Sequence, residues 1–366
     1  MKALILAGGF GTRLRPLTCT RSKLMFPIAN RPLLDWILES LARSGVKKVV
    51  MAVNYMAEAI ERSFGTSKYG MRLEYSRETM PLGTGGPIKR AETMLDEDDD
   101  PFFVLNGDIL STVDYADLYK RHMSFKAEAT IALYEVDDPS RFGVVEINGR
   151  SQILKFVEKP QPEEAPSRLV NAGVYVLKQS VIEGIPPAGK VSLEREIFPV
   201  LAERGGLYGH RFDGFWVDIG KPNDYIIANK MMLDLVAGDR PLLSDGVKIH
   251  PEAKIHLPVA LGKGVTIEEG ACIGPYASIG DRVTMGKGTR VQESVVFPGA
   301  WVGNFTSIKG AIIGEEAILG QWVKIEERCI VGDYVNILDN VTLTQKVKIC
   351  HSKEVDSSIL GPETVM

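Results

Sequence analysis

Positive charge is concentrated at the start of the chain. The first 34 residues contain six Lys or Arg and no Asp or Glu, although all 366 residues together have a net charge of −4. In LILAGGFGTRLRPLTCTRSK, an apolar run leads into glycines, and Arg13 and Lys23 follow. Glycine amides beside cations can bind a polyphosphate. We therefore expect a triphosphate-binding loop, although the GxG spacing alone fits a tight turn, since it completes neither a Walker A motif nor a dinucleotide fingerprint.

Two aspartates follow predicted strands. Asp108 ends the stretch VLNGD, and Asp218 lies in FWVDIG. Open α/β sheets bind ligands at the carboxyl ends of their strands, and Mg²⁺ prefers oxygen ligands. If these carboxylates meet in space they could share a Mg²⁺ ion, whereas each alone could be a turn or cap residue.

Three other motifs carry residues suited to a sugar phosphate or a base. FVEKP places Glu158 and Lys159 at a strand end, and NAGVY contains Asn171 and Gly173. Glu and Asn suit sugar hydroxyls, and Lys suits a phosphate. In PLGTGGPIKRAE, glycines precede a predicted helix and would let the backbone lie against a base. Taken singly, the first two motifs are better explained by an ordinary charged turn, and the glycine motif is equally compatible with a simple loop.

The elements around these motifs predict an α/β domain. KALILA and KKVVMAV are short apolar runs typical of buried parallel strands. NRPLLDWILESLARSG between them has apolar residues at helical spacing, which predicts a βαβ unit. The later strand-like segments, from ATIALYEV to LVNAGVYVL, have little helix between them. We therefore expect the sheet to become mixed.

The last third of the chain has a six-residue period. Its aliphatic and aromatic positions are Ile255, Leu261, Ile267, Ile273, Ile279, Met285, Val291 and Phe297, then Val302 and Ile308, then Ile313, Leu319, Ile325, Val331, Ile337, Leu343 and Ile349. This period is typical of a left-handed parallel β-helix of hexapeptide repeats. We predict an α/β domain over 1–236, a linker over 237–248 and a β-helix over 249–366.

Composition narrows the classes of partner. The acidic balance argues against a nucleic-acid-binding protein, and no stretch is long enough to span a bilayer. Four scattered cysteines and the absence of a signal-peptide pattern indicate a cytoplasmic protein without a disulfide scaffold.

Trp301 and Trp322 interrupt small positions of the repeat, so we expect them to face outward and predict a homo-oligomer formed through the β-helix.

Taken in order, the motifs LILAGGFGTRLRPLT with Lys23, LGTGGP, NGD, VEKP and NAGVY resemble the sugar-1-phosphate nucleotidylyltransferases along the whole chain. The segment SLEREIFPVLAERGGLYGHRFDGFWVDIGKPNDY is most similar to the branch of that family that makes GDP-mannose. The family has a Rossmann-like catalytic domain. It converts a nucleoside triphosphate and a sugar 1-phosphate into a nucleotide sugar and pyrophosphate, with Mg²⁺ as cofactor.

The resemblance implies a role for each matching residue. The implied sets are Arg13, Lys23, Asp108 and Asp218 for catalysis, the two aspartates also holding the metal; Leu6, Gly8, Gly9, Gly11, Thr12, Gly83, Thr84 and Gly107 for the nucleotide; and Glu158, Lys159, Asn171 and Gly173 for the sugar phosphate. This chain has Ser22 where the family usually has Pro before the signature Lys, which would loosen the loop and let Arg21 share the task of Lys23.

Three alternatives stay open. The substrates could be glucose 1-phosphate with UTP, dTTP or ATP. The chain could be a regulatory subunit that binds a nucleotide sugar, although such relatives tend to lose the phosphate-binding residues. The β-helix could be an acyltransferase, although no histidine lies between Leu257 and Cys350 to act as a general base.

Overall fold

The computed structural model describes residues 1–54, 56–95 and 100–365. These form two compact units. Unit 1 contains Met1–Phe10 and Leu34–Asp218, and unit 2 contains Gly11–Leu33 and Ile219–Met366. The cationic loop therefore belongs to the same unit as the C-terminal repeats. The functional boundary at 237–248 stays a prediction.

The first two-thirds of the chain alternates strands and helices. The strands are β1 Lys2–Ala7, β2 Pro27–Ile28, β3 Arg31–Pro32, β4 Lys48–Val53, β5 Ser67–Lys68, β6 Met71–Arg77, β7 Phe102–Asn106, β8 Ile109–Ser111, β9 Ala129–Glu135, β10 Gly143–Ile147, β11 Ile153–Glu158, β12 Leu169–Leu177, β13 Leu207–Arg211 and β14 Trp216–Asp218. The α-helices are α1 Leu33–Arg43, α2 Ala57–Phe64, α3 Gly86–Arg90, α4 Glu92–Leu95, α5 Tyr115–Phe125, α6 Gln179–Glu183, α7 Phe198–Glu203 and α8 Pro222–Val236.

Unit 1 is built on a mixed sheet. Its order is β11-β10-β12-β7-β1-β4-β6-β5, with β9 beside β12 and β13 beside β9. β1 is parallel to β4 and β7, and β12 is antiparallel to β7 and β9. Strand β4 is buried throughout, as expected for a parallel strand covered on both faces. The predicted Rossmann-like core with a mixed sheet is confirmed.

Helix α1 shows why the first βαβ unit forms. Its apolar residues Leu34, Ile37, Leu38 and Leu41 are all buried, as their helical spacing predicts. The helix is followed by Gly45, which has a φ of 87°. That left-handed conformation suits glycine and lets the chain turn into β4.

Unit 2 contains the predicted parallel β-helix. Its strands are β15 Leu242–Leu243, β16 Lys248–Ile249, β17 Lys254–Ile255, β18 Val259–Leu261, β19 Thr266–Ile267, β20 Cys272–Ile273, β21 Ala277–Ile279, β22 Thr284–Met285, β23 Arg290–Gln292, β24 Val295–Val296, β25 Trp301–Val302, β26 Ser307–Lys309, β27 Ile312–Ile313, β28 Ile318–Leu319, β29 Lys324–Ile325, β30 Ile330–Val331, β31 Asn336–Ile337, β32 Thr342–Leu343, β33 Lys348–Ile349, β34 Glu354–Val355 and β35 Thr364–Val365. They form three parallel sheets in which each strand pairs with the strand one coil later. This arrangement is consistent with the left-handed class and confirms the repeat.

One predicted interior position is wrong. The sequence period assigns Phe297 to the interior, but Val296 pairs with Ile279 and Ile313 and joins the interior cluster. The change of register therefore falls one residue earlier than the pattern indicates. Phe297 is still buried, because its ring lies outside the coil with its centroid 5.9 Å from that of Phe26.

The β-helix carries exposed aromatic residues. Trp301 is 44% exposed and Trp322 is 59% exposed, so the predicted outward orientation is confirmed. The rings of Phe305 and Trp322 are stacked with centroids 4.4 Å apart. No helix among the described residues has both the length and the apolar character needed to cross a membrane.

His122 on α5 predicts a pH-dependent stability. Its ring is 1% exposed, Nδ1 lies 2.9 Å from Thr130 Oγ1, and Nε2 has no partner among the described residues. Burial lowers the pKa of His122 to about 4, and the charge of Lys178 acts in the same direction. The folded state therefore binds fewer protons than the unfolded state below pH 6.5, so stability falls as the pH falls from 6.5 towards 4.

We expect this histidine to remove about 2 kcal/mol of unfolding free energy between pH 7 and pH 5. Urea unfolding of the native chain and of His122→Gln at both pH values measures the difference in slope. Identical pH dependence in the two proteins would contradict the assignment.

Candidate active site

The carboxyl ends of the central parallel strands lie side by side in unit 1. Leu6, near the end of β1, is in register with Asn106 at the end of β7. The amide of Gly107 donates to the Leu6 carbonyl at 3.0 Å. Gly8 and Gly9 follow β1 directly and are half-buried and exposed, respectively. This edge is where a sheet of this kind binds its ligands.

The backbones of the two predicted catalytic aspartates come close together at this edge. Strands β8 and β14 are antiparallel, and Asp218 is in register with Ile109, the residue that follows Asp108. Both aspartates are half-buried. Two residues that are 110 positions apart in the sequence are therefore neighbours in unit 1.

A bulge in β12 brings the NAG motif to the same place. Its pairing with β9 shifts between Asn171 and Tyr175, and Gly173 within the bulge has a φ of 71°. A Cβ on Gly173 would lie 2.7 Å from Asn106 Nδ2. The indole Nε1 of Trp216 donates to the Ala172 carbonyl at 2.9 Å, which ties the bulge to β14.

Hydrogen bonds hold the bulge internally. Asn171 Oδ1 accepts the Gly173 amide at 2.9 Å, and Asn171 Nδ2 donates to the Tyr175 hydroxyl at 3.0 Å. Burial raises the pKa of Tyr175 well above its ordinary value, and the charge of Glu194 adds to this. Tyr175 therefore stays neutral. Asn106 Oδ1 is buried and has no hydrogen-bond partner among the described residues.

Glu158 and Lys159 lie at the end of β11. Glu158 is paired with Gly143 across the strands, and a Cβ on that glycine would lie 3.0 Å from Glu158 Oε2. Lys159 has a φ of 52°, and its Nζ donates to Glu158 Oε1 at 2.6 Å. The Lys159 side chain is 56% exposed, so an incoming phosphate can reach its ammonium group.

The glycines at 83–86 have a structural explanation. Gly83 has a φ of 81°, and a Cβ there would lie 2.2 Å from the Val191 carbonyl oxygen. The Gly85 amide donates to that same oxygen at 2.9 Å. Thr84 Oγ1 donates to Glu194 Oε2 at 2.6 Å and accepts the Leu193 amide at 2.9 Å. These contacts join the glycine loop to the segment after Val191, and the nucleotide role of Gly83 and Thr84 stays a prediction.

Sequence reasoning missed three polar residues of this edge or its supports. Asn54 follows β4 and Glu78 follows β6, while Glu194 holds Thr84. A Cβ on Gly8 would lie 3.0 Å from Glu78 Oε1. Burial raises the pKa of Glu78, although the Leu82 amide and the charge of Arg90 oppose this. The sequence held a signal for two of them, because Asn54 and Glu78 directly follow strand-like runs.

The remaining nucleotide-loop residues belong to unit 2. Gly11 has a φ of 58°, and its carbonyl accepts the Leu14 amide and the Thr18 hydroxyl, both at 2.9 Å. Thr12 and Arg13 lie in the single 3₁₀ turn Thr12–Leu14 and are exposed. Arg13 therefore projects from a loop whose backbone closes on itself.

Lys23 begins the third 3₁₀ turn of this segment, Lys23–Met25, and is half-buried. Ser22 before it has a φ of −65°, which is the value that proline imposes. The loop therefore has the proline-like backbone without the proline. Arg21 cannot share the task of Lys23, because its Nη2 donates to Glu315 Oε2 at 2.5 Å and to Asp333 Oδ2 at 2.7 Å.

The donor set at the sheet edge fits a magnesium ion. Asp218 at the end of β14 and Asp108 just before β8 could supply hard oxygen ligands, and Mg²⁺ usually keeps several waters or takes phosphate oxygens. The described residues contain no group of three or more His, Cys, Asp or Glu that could hold a metal. A site of this kind would therefore depend on Asp108 and Asp218 together with the substrate.

Comparisons with known proteins agree with this geometry. The family model described as nucleotidyl transferase matches residues 2–234, and the model described as GMPPB C-terminal domain matches residues 255–365. This chain belongs to the nucleotidyl transferase family. The resemblance inferred from its motifs is confirmed.

Full-length relatives extend the similarity. The chain is 40% identical over 372 residues to mannose-1-phosphate guanylyltransferase catalytic subunit beta of Dictyostelium discoideum. It is 39% identical over 374 residues to mannose-1-phosphate guanylyltransferase 1 of Arabidopsis thaliana. Each alignment covers 100% of both chains.

A solved structure resembles part of this chain. HddC from Yersinia pseudotuberculosis, complexed with GMP-PN, is 30% identical with a TM-score of 0.54. The match covers 63% of this chain and 99% of that chain. A second crystal structure of HddC gives a TM-score of 0.55.

The bulge makes a testable prediction about Gly173. Gly173→Ala should lower the unfolding free energy by about 1–3 kcal/mol, because alanine is strained at a φ of 71° and its Cβ would collide with Asn106. Gly149→Ala is the matched control, since a Cβ there meets nothing within 4 Å. Urea unfolding compares the two, and equal losses would contradict the proposed constraint.

Proposed function

We propose that this enzyme transfers the nucleotidyl group of GTP to mannose 1-phosphate, giving GDP-mannose and pyrophosphate. The observation that carries the proposal is the pairing of β8 with β14, which makes Asp108 and Asp218 neighbours at the ligand-binding edge. The named relatives support the choice of substrates. Both are named as mannose-1-phosphate guanylyltransferases, and one of them is a catalytic subunit.

The reaction needs charge and position more than a covalent nucleophile. Both substrates are polyanions, and the sugar phosphate is already ionised, so no general base is required. We infer that its oxygen attacks the α-phosphorus in line while pyrophosphate leaves. Arg13 and Lys23 bind the triphosphate and stabilise the departing pyrophosphate. A bound Mg²⁺ would supply charge neutralisation at the α-phosphate.

The sheet edge positions the two substrates. Gly8, Gly9 and Gly107, with Leu6, form the flat backbone surface for the nucleotide. Asn171, Gly173 and Glu158 bind sugar hydroxyls, and Lys159 binds the sugar phosphate. The exposed side chain of Lys159, with its ammonium group at the end of β11, is the observation that favours a sugar phosphate here.

We further propose that the protein is cytoplasmic and forms a homo-oligomer through the β-helix. The exposed Trp301 and Trp322 support a subunit contact on that domain. No nucleic-acid or membrane partner is part of this proposal. The regulatory-subunit alternative is less well supported, because Arg13, Lys23, Asp108, Lys159 and Asp218 are all present.

Asp108→Asn should lower turnover with Mg²⁺ by about 10²–10³-fold, because it removes one charged ligand from a two-carboxylate site. Asp114→Asn is the control, since Asp114 caps α5 through a bond to the Asp117 amide that asparagine can also accept. Steady-state pyrophosphate release measures both variants. Unchanged turnover in Asp108→Asn would remove the metal assignment.

A substrate panel tests the substrates. The purified chain is incubated with GTP, ATP, UTP, CTP or dTTP against mannose, glucose and N-acetylglucosamine 1-phosphates. We expect GTP with mannose 1-phosphate to give the highest kcat/KM. A preference for UTP, dTTP or ATP with glucose 1-phosphate would replace the substrate assignment and keep the mechanism, whereas no release with any pair would favour the regulatory subunit.

A further inference from the structure

A buried carboxylate of the β-helix binds the cationic segment, defined here as residues 11–33. Asp333 follows β30, and its side chain is only 1% exposed. Its Oδ2 accepts hydrogen bonds from Thr20 Oγ1 and from Arg21 Nη2, the latter at 2.7 Å. All three residues belong to unit 2. The contact therefore joins parts of the chain more than 300 positions apart.

Arg21 is enclosed by this contact. Its Nη2 also donates to Glu315 Oε2, and its guanidinium carbon lies 4.9 Å from the centroid of the Phe297 ring. The Arg21 side chain is 17% exposed. One cation is thus held by two carboxylates and an aromatic face, an arrangement that makes a charged hydrogen bond strong and directional.

The repeat itself explains only half of what Asp333 does. Its Oδ1 accepts the Glu315 amide, which lies one coil earlier, at 2.7 Å. Asp281 and Asp339 accept amides one coil earlier in the same way, at 2.7 Å each, and Asn304 does so at 2.9 Å. Since asparagine serves as well as aspartate, capping the coil does not need a negative charge. The second oxygen of Asp333 is the atom with a different task.

The cationic segment has a second anchor beyond Lys23. The ring of Phe26 packs edge-on against those of Tyr225 and Phe297, with centroids 5.3 and 5.9 Å apart. Asn30 Nδ2 donates to the Ile279 carbonyl at 2.7 Å. Lys23 therefore lies on a short piece of backbone that is fixed to unit 2 on both sides.

We propose that Asp333 is a positioning residue: by binding Thr20 and Arg21 it fixes the backbone from which Lys23 meets the triphosphate. This inference rests on the proposed function for the identity of the ligand. The β-helix would then assist catalysis by holding the loop that carries Lys23, without contributing a catalytic residue. The cation nearest to Lys23 in the sequence, Arg21, holds the loop in place.

The test uses Asp333→Asn in the full-length chain, with Asp339→Asn as the matched control. Both variants keep an oxygen for the coil amide, as Asn304 does, and Asp339 is exposed. The first readout is the rate of limited trypsin cleavage after Arg21, identified by fragment mass. We expect a rise of about tenfold or more in Asp333→Asn, because a bond to a charged group is lost, and no change in the control.

The second readout is steady-state kinetics. Asp333→Asn should raise KM for the nucleoside triphosphate by about tenfold and leave KM for the sugar 1-phosphate within about twofold. Arg21→Lys should leave KM for the nucleoside triphosphate close to the native value, whereas Arg21→Met should raise it. Arg21→Met combined with Asp333→Asn should be no worse than either alone, since the two side chains act as one pair.

Three results would overturn the inference: unchanged cleavage and KM in Asp333→Asn, the same changes in Asp339→Asn, or an equal rise in KM for both substrates. Thr20→Val provides a milder variant if Asp333→Asn unfolds, and it should change cleavage in the same direction. If the native chain shows no turnover with any substrate pair, the proposed function fails, while the cleavage rates still decide whether Asp333 holds the segment.

Discussion

The antiparallel pairing of β8 with β14 is the constraint on which the candidate site depends. It is only three residues long, yet it places Asp218 opposite Ile109 and so beside Asp108. The indole of Trp216 extends the same connection to the β12 bulge through the Ala172 carbonyl. Because a bulge needs one residue with unusual backbone angles, Gly173 belongs to this constraint as much as the aspartates do.

A catalytic edge of this type requires precise positions for groups that titrate or carry charge. Unit 1 supplies these positions with neutral groups such as Tyr175, which is buried and accepts a hydrogen bond from Asn171 within the β12 bulge. Unit 2 uses opposite charges, since Arg21 lies between Glu315 and Asp333. The two strategies suit their contexts: a sheet offers backbone partners at each strand end, whereas an exposed loop needs strong bonds to one rigid surface.

Much of this molecule could be predicted from its sequence because the signals are local or periodic. The apolar runs of β1 and β4 and the six-residue period identify both folds. The register error at Phe297 has a physical origin, since Val296 and Phe297 are both apolar and the pattern cannot tell an interior residue from one buried against Phe26. The site residues were accessible through motifs, whereas Asn54 and Glu78 directly follow strands β4 and β6 but belong to no recognised motif.

Arg21 shows most clearly why the remainder required a structure. The six cations of the acid-free segment look equivalent in the sequence, and charge density alone does not separate Arg21 from those expected to bind phosphate. The acids that pair with Arg21 lie about 300 residues later, in a repeat whose other aspartates Asp281 and Asp339 accept a coil amide. Asn304 accepts a coil amide without a charge, so the repeat does not explain the charge of Asp333. The ion pair with Arg21 does explain it. A repeat position that tolerates a neutral residue but carries a buried charge therefore points to a partner outside the repeat.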